Sequence, residues 1–279
     1  MALTSLVAVK TWLGVTTTTD DVLLTRLLNQ VSTATLSYLQ RPNLARATYS
    51  ELRNGVGNQR MTLRNWPVVS VSSLFVAGHS VPAGLLPATA SALTPGYTLS
   101  QWDGTGSGNL QELTLVGYSF IRGNNNVQIN YIAGYCVLAQ PATVPATGPY
   151  NINITPPGGS WSQDDGVAYA NGTAFTSIRS GTPTAGQYLI TPSEALPGTV
   201  VYTFAAADEG QAITISYSYT PSDLEEGVIE WIGERYRYKE RIGQKTKSVG
   251  GTETAGYNLA GVPDFIQGIF EPYKKFLPL

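Results

Sequence analysis

The chain has 279 residues, enough for one large domain or two modest ones, and its 42% apolar residues can fill a real core. Charged residues make up 13% and aromatic residues 10%, with a net charge of −2, which excludes an intrinsically disordered chain. The same near-neutral balance excludes nucleic-acid wrapping as the main task, because phosphate binding needs clustered Lys and Arg, and the single cysteine, Cys136, excludes an intrachain disulfide.

Residues 1–10 lack a basic segment followed by a long apolar run, so no signal peptide is expected. No stretch approaches the roughly 18 apolar residues of a membrane span. The first helix is predicted over 5–13, with Leu6, Val9, Trp12 and Leu13 on its apolar face and Gly14 as its stop. A stronger helix follows a Thr-rich link. Thr18 or Thr19 caps it, Asp20 and Asp21 sit at its positive end, and Leu24, Leu27, Leu28, Val31 and Tyr38 form its stripe. It runs to about Leu39 and Pro42 closes it.

From Tyr49 the period changes to two. Residues 53–58 read as a turn, Met61, Leu63 and 67–71 as strands, and strands separated by Gly/Asn turns continue to Tyr135, the clearest at 126–131. A second β-rich stretch covers 137–220, with strands at 150–154, 167–169, 173–178, 187–190, 200–204 and 213–217. Turn clusters such as 156–159 and 170–172 break it about every ten residues, the spacing of a small sandwich or barrel. At Pro221 the character flips. Ser222 with Glu225 reads as a capping box opening a helix to about Arg241, with Leu224, Val228, Trp231, Ile232 and Arg235 on one side. Residues 245–257 read as a loop or hairpin, and 265–270 as a last short helix.

Charge separates these parts. Residues 82–212 hold two basic and seven acidic side chains, net −5, whereas 1–81 and 213–279 together carry net +3. The pattern predicts a nearly uncharged β insert between two halves of a charged, mainly helical domain.

No catalytic, cofactor or metal site emerges. His79 is the single histidine, and a Ser–His pair with Ser80 lacks an acid nearby in sequence to orient the base, so a turn histidine is expected. One Cys and one His do not make a zinc site, and Asp164 with Asp165 lacks calcium-loop spacing, so an Asp-Asp-Gly turn is expected there. The Gly-rich segment 104–108 lacks the Lys-Ser/Thr ending of a phosphate loop and is read as a loop tip, and 124–126 as a hairpin turn. On the helix from Leu224, Glu225, Glu226, Glu230 and Glu234 precede Arg235, Arg237, Lys239 and Arg241, complementing the helix dipole. Two readings stand: a solvated, self-stabilised face, or an intersubunit surface whose opposite charges fix register. Tyr236 and Tyr238 among the arginines favour the second, since Tyr and Arg are enriched at interfaces.

Several segments, in their order, resemble phage head–tail connector (adaptor, head completion) proteins of the small helical type. They are Leu6-Val-Ala-Val-Lys-Thr-Trp-Leu-Gly14, Asp20-Asp-Val-Leu-Leu24, Tyr38-Leu-Gln-Arg41 and Asn65-Trp-Pro-Val-Val-Ser-Val-Ser-Ser-Leu74. Asn126-Val-Gln-Ile-Asn-Tyr-Ile-Ala-Gly-Tyr135 resembles the family's closing strand, and Pro221-Ser-Asp-Leu-Glu225 through Arg241, with Pro263, Pro272 and Tyr273, its final helix and tail. The chain departs from that pattern in size, with 137–220 inserted where the closing strand runs into the helix.

The resemblance implies an α+β protein. Its helical adaptor core of long antiparallel helices with a few strands spans 1–135 and 221–279, with an excursion at 82–115, and an all-β sandwich- or barrel-like domain at 137–220 interrupts it. It further implies a non-enzymatic virion subunit of the phage neck, made in the bacterial host cytoplasm and located at the head–tail junction. Such subunits form a homo-oligomeric ring of about twelve that continues the DNA channel. The implied partners are the portal protein, a tail-proximal neck or tail-terminator protein and passing DNA bound without sequence specificity, with no membrane and no cofactor. On this reading Phe265, Phe270, Tyr273, Lys274, Lys275 and Phe276 belong to a portal-facing C-terminal arm. Glu230, Glu234, Arg235, Arg237, Tyr238 and Arg241 make subunit–subunit contacts. The competing expectation is a virion-surface protein binding a receptor or carbohydrate through the β insert, with Tyr150, Trp161, Tyr169, Tyr188 and Tyr202 stacking on sugars.

Overall fold

Ser5 and Gly14 delimit the first helix. The computed structural model describes residues 2–84, 94–101, 110–193, 195–239, 246–249, 253–256 and 261–275. In it, the Ser5 hydroxyl accepts from the Ala8 N–H at 3.1 Å to open α1 (Leu6–Leu13). At the other end Gly14 takes φ 67°, and Val15 donates back to the Lys10 carbonyl at 3.0 Å, closing the helix as a left-handed cap does. Helix α2 (Asp21–Tyr38) starts from Asp20, not from Thr18 or Thr19, and Leu24, Leu28 and Val31 are buried along its stripe.

Seven strands follow: β1 (Ala47–Gly55), β2 (Arg60–Thr62), β3 (Val68–Val76), β4 (His79–Ser80), β5 (Gly96–Gln101), β6 (Leu110–Val116) and β7 (Gly123–Ala133). They form two antiparallel sheets, β1-β7-β3-β4 and β2-β6-β5. Alternate residues Val127, Ile129 and Tyr131 of β7 meet Leu74 and Val76 of β3 and Leu113 and Leu115 of β6 in one core. These strands belong to a compact unit, 43–135 with Lys275, and the Tyr135 N–H donates to the Leu44 carbonyl at 2.9 Å, so the ends of its main segment meet.

The other unit comprises 1–42 and 136–274. It continues with β8 (Cys136–Thr143), β9 (Asn151–Ile154), β10 (Gly159–Tyr169), β11 (Thr176–Ile178), β12 (Gln187–Pro192), β13 (Val200–Phe204) and β14 (Ala212–Pro221). Sheets β10-β14-β8 and β11-β12-β13-β9 share a core that includes Val167, Tyr188, Tyr202, Phe204, Ile215 and Tyr217. Only β11 and β12 pair in parallel among the described strands of this unit.

Strand β14 passes into α3 (Ser222–Tyr238) without a loop. The Ser222 N–H donates to the Gly158 carbonyl at 3.0 Å, and Pro221 pairs with Gly159, where a side chain would strike the Thr220 carbonyl. Helix α3 buries Leu224, Val228, Trp231 and Ile232 and packs on α1, α2 and, after the hairpin β15 (Thr246–Val249) and β16 (Glu253–Gly256), on α4 (Asp264–Phe270). Gly227 lets Phe270 approach closely: a Cβ there would lie 2.8 Å from the Phe270 ring.

The expected core of long antiparallel helices is not what forms. Strand accounts for 40% of the chain against 24% helix. The four described helices have 8, 18, 17 and 7 residues. The physical reason lies in the period-two segments between 47 and 133, which bury their apolar faces against one another and not against helices. Three local expectations also change. Ser222 is the first residue of α3, whose cap is Pro221, so no capping box forms. Asp164 and Asp165 lie within β10 at a bulge, with Gly166 at φ 111°, and not in a turn. Asn124, Asn125 and Asn126 belong to β7, with Asn125 alone taking positive φ among them.

Candidate assembly surface

Successive turns of α3 carry the predicted contact residues onto two flanks. Glu230, Glu234 and Arg237 follow one another at i, i+4 and i+7, and so line one stripe. Arg235 and Tyr238 follow Trp231 on the next stripe round. The structure separates them accordingly.

On the first flank, Glu230, Gly233, Glu234 and Arg237 border a surface groove of about 350 Å³ whose other walls are Trp12 of α1 and Phe265 of α4. Gly233 forms the floor beside Trp12, and a Cβ there would meet the Trp12 indole nitrogen at 3.5 Å and Leu13 at 3.6 Å, ordinary van der Waals contact. Trp12, expected on the buried face of its helix, is 50% exposed, and Phe265 is 60% exposed. Two large apolar side chains therefore stand in solvent beside three charged ones. On the second flank, Arg235 and Tyr238 border a hollow of about 330 Å³ with Leu27, Gln30, Ala34 and Trp231. Arg235 and Arg237 are exposed and enter no ion pair among the described residues, and neither has an acidic residue four positions away on the helix.

Three other members of the predicted sets, Phe270, Tyr273 and Lys274, contact side chains of their own unit. Phe270 is fully buried, its ring 6.1 Å from Tyr38 and 6.4 Å from Trp231. The Tyr273 hydroxyl donates to Asp223, and Lys274 pairs with Glu271 at 3.5 Å while lying 4.9 Å over the Tyr38 ring. Lys275 is half-buried. Tyr236 donates to Asp20, and Lys239 lies 3.3 Å from the same carboxylate. The Tyr236 hydroxyl, then the Lys239 ammonium, hold the Asp20 carboxyl below its usual range. Arg241 and Phe276 lie outside the described residues, as does the predicted loop tip at 104–108.

One tie had no local signal in the sequence. Glu225 is buried, and it accepts from the Thr4 hydroxyl at 2.8 Å and from the Ser160 hydroxyl. Burial raises its pKa, with the two hydroxyls opposing that rise. A carboxylate expected to cap its own helix instead fastens the N-terminal segment and strand β10 to α3.

His79 is exposed in the two-residue hairpin partner of β3, opposite Val76. Asp164 accepts from the Tyr188 and Tyr202 hydroxyls at 2.5 and 3.2 Å, and Asp165 from Ser218 at 2.6 Å. Tyr188 and Tyr202 are buried, which removes both from the aromatic set expected to stack on sugars. Among the described residues no group of three or more His, Cys, Asp or Glu is arranged to hold a metal, and no helix is long and apolar enough to cross a membrane.

No model of a known protein family matches the chain, and no curated protein matches it.

Proposed function

We propose that the chain is a structural subunit of a phage neck, working as a closed ring of about twelve copies that joins the portal to the tail and continues the DNA channel. The observation that carries this reading is the groove on α3, where half-exposed Trp12 and Phe265 flank Glu230, Glu234 and an Arg237 without an ion pair among the described residues. Aromatic anchors with arginine are the composition of interface centres, and opposite charges on one stripe fix register between neighbours. The order of segments resembling connector proteins supports this choice of assembly, and the groove offers a surface on which it can form. Repeating subunits around a closed ring use a heterologous contact, so this stripe meets a different surface of the next copy. The portal and a tail-proximal neck protein are the partners above and below.

Electron microscopy and mass photometry of the purified chain, with and without its portal, test this. The expected result is a ring near twelve copies, alone or seated on the portal, that falls to monomers in Trp12→Ala/Phe265→Ala and in Arg237→Glu while circular dichroism is unchanged. A monomer or trimer that ignores the portal overturns it.

A further inference from the structure

A second feature stands apart from the assembly surface and does not rest on it. Where β10 ends, the chain turns back through Asn171 and Gly172, with the Gly172 N–H on the Tyr169 carbonyl at 2.9 Å and the Tyr169 N–H on the Thr173 carbonyl at 2.9 Å. This turn, the exposed Ala185 and the short helical turn Ala206–Asp208 enclose an open hollow of about 430 Å³. Tyr169, Asn171, Thr173, Asp208 and Gln211 supply its chemistry.

Asp208 is the unusual member. It is 2% exposed, yet no salt bridge reaches it among the described residues. Its carboxylate is held by neutral donors only, the Tyr169 hydroxyl at 2.7 Å and the Gly186 N–H at 3.1 and 3.2 Å. Two carboxylate oxygens offer about four acceptor positions, so two such donors leave room for another. The bond to Asp208 raises the Tyr169 hydroxyl to about 12, keeping it a donor at any working pH. Phe175 covers one side of the Tyr169 ring at 4.0 Å between centroids, and the ring remains partly exposed as a wall of the hollow. Asn171 spends its amide oxygen on the Thr173 N–H at 2.9 Å, which leaves its N–H groups to donate.

We propose that this hollow binds the neutral, hydroxyl-rich end of a glycan. An aromatic wall complements the apolar C–H face of a pyranose ring, while a desolvated carboxylate and neutral amide and hydroxyl groups match hydroxyls around its edge. The lining holds a carboxylate and no base, so it disfavours phosphate, sulfate and acidic sugars. Its open form points to weak recognition of one terminal sugar, which gains strength when many copies of the site act together.

The test uses the full chain and saturation-transfer NMR with the methyl glycosides of glucose, galactose, mannose and N-acetylglucosamine, with inorganic phosphate and a simple alkylamine as controls. The expected result is transfer to the ring protons of at least one glycoside and none to the anion or the amine. Ala185→Trp, which fills the hollow from an exposed position, abolishes that transfer, and Asn171→Ala/Gln211→Ala reduces it several-fold with the far-UV spectrum unchanged. Silence from every glycoside, retained transfer in both variants, or binding of the amine alone overturns the proposal.

Discussion

Replacing Glu225 by alanine tests the central tie of the helical and β layers in one unit. The substitution leaves the hydroxyls of Thr4 and Ser160, both buried, without their acceptor. Hydrogen bonds to a charged group contribute about 1.5–3 kcal/mol each, so the gross loss is roughly 3–6 kcal/mol. Removing a carboxylate that burial disfavours returns part of this, leaving a net destabilisation of about 2–3 kcal/mol. With a urea slope of roughly 2–3 kcal/mol/M, the midpoint falls by the order of 1 M, read from tryptophan fluorescence. Glu225→Gln separates charge from hydrogen bonding. It keeps one acceptor and lets the second hydroxyl reverse its role, so its stability near neutral pH stays close to that of the parent chain. The pH dependence then differs in a definite direction. Because the folded pKa of Glu225 lies above 4.5, the folded state binds the proton more tightly. The parent's stability relative to Glu225→Gln is therefore fully present below 4.5 and declines as pH rises through the folded value. Parent and Glu225→Ala midpoints that coincide, or a parent-minus-Gln difference that stays flat or climbs over this window, would refute the reasoning.

Three further outcomes are expected. Tyr236→Phe removes the leading cause of the low Asp20 pKa, so a carboxyl NMR titration moves Asp20 back toward 3.8; an unmoved titration rejects the tie. The Asp20 contribution is present above 3.8 and is lost as pH falls through the lower folded value, and the same variant weakens it while the Lys239 ammonium keeps part of it. In the 43–135 unit, the fully buried Tyr131 hydroxyl donates to Glu51 and accepts from the Asn65 backbone and side chain at 3.1 Å, so Tyr131→Phe costs about 1–3 kcal/mol in urea unfolding, and a loss below about 0.5 kcal/mol counts against that network. Tyr131, Tyr188 and Tyr202 all have hydroxyl pKa values raised mainly by burial, so the stability they contribute is present below 10 and is lost as pH rises toward the folded values. Alkaline titration should therefore show tyrosinate absorbance from these groups appearing together with loss of circular dichroism, and ionisation of all tyrosines near 10 in an intact fold would contradict it.

Periodicity made much of the secondary structure legible. Leu24, Leu28 and Val31 marked α2 at helical spacing, and Val127, Ile129 and Tyr131 marked β7 at alternate positions. Gly14 announced its helix stop because the left-handed conformation there suits glycine. Strand β8 escaped notice: its Cys136, Pro141 and Ala residues carry no strong alternation, and it is defined by pairing with β14, some seventy residues on. The fold class failed for a related reason. Helix signals are local, whereas the mutual burial of two sheets depends on partners such as Leu74 and Leu113 that no local window contains. At the candidate surface, the order of charges along α3, acids before bases, was readable, but their division between two flanks and the exposure of Trp12 were not. An indole at helical spacing looks like core, yet that of Trp12 stands half in solvent beside Phe265.

The loop-free passage from β14 into α3 makes strand and helix one continuous beam. Its strand end is clasped between β10 and β8, its helix end is surrounded by α1, α2 and α4, and Glu225 bolts the joint close to the bend. With no compliant linker at the joint, a load applied to the sandwich reaches the α3 groove as displacement of a stiff lever. Lengthening the joint by a few glycines after Pro221 would decouple the two ends while leaving each layer its own core.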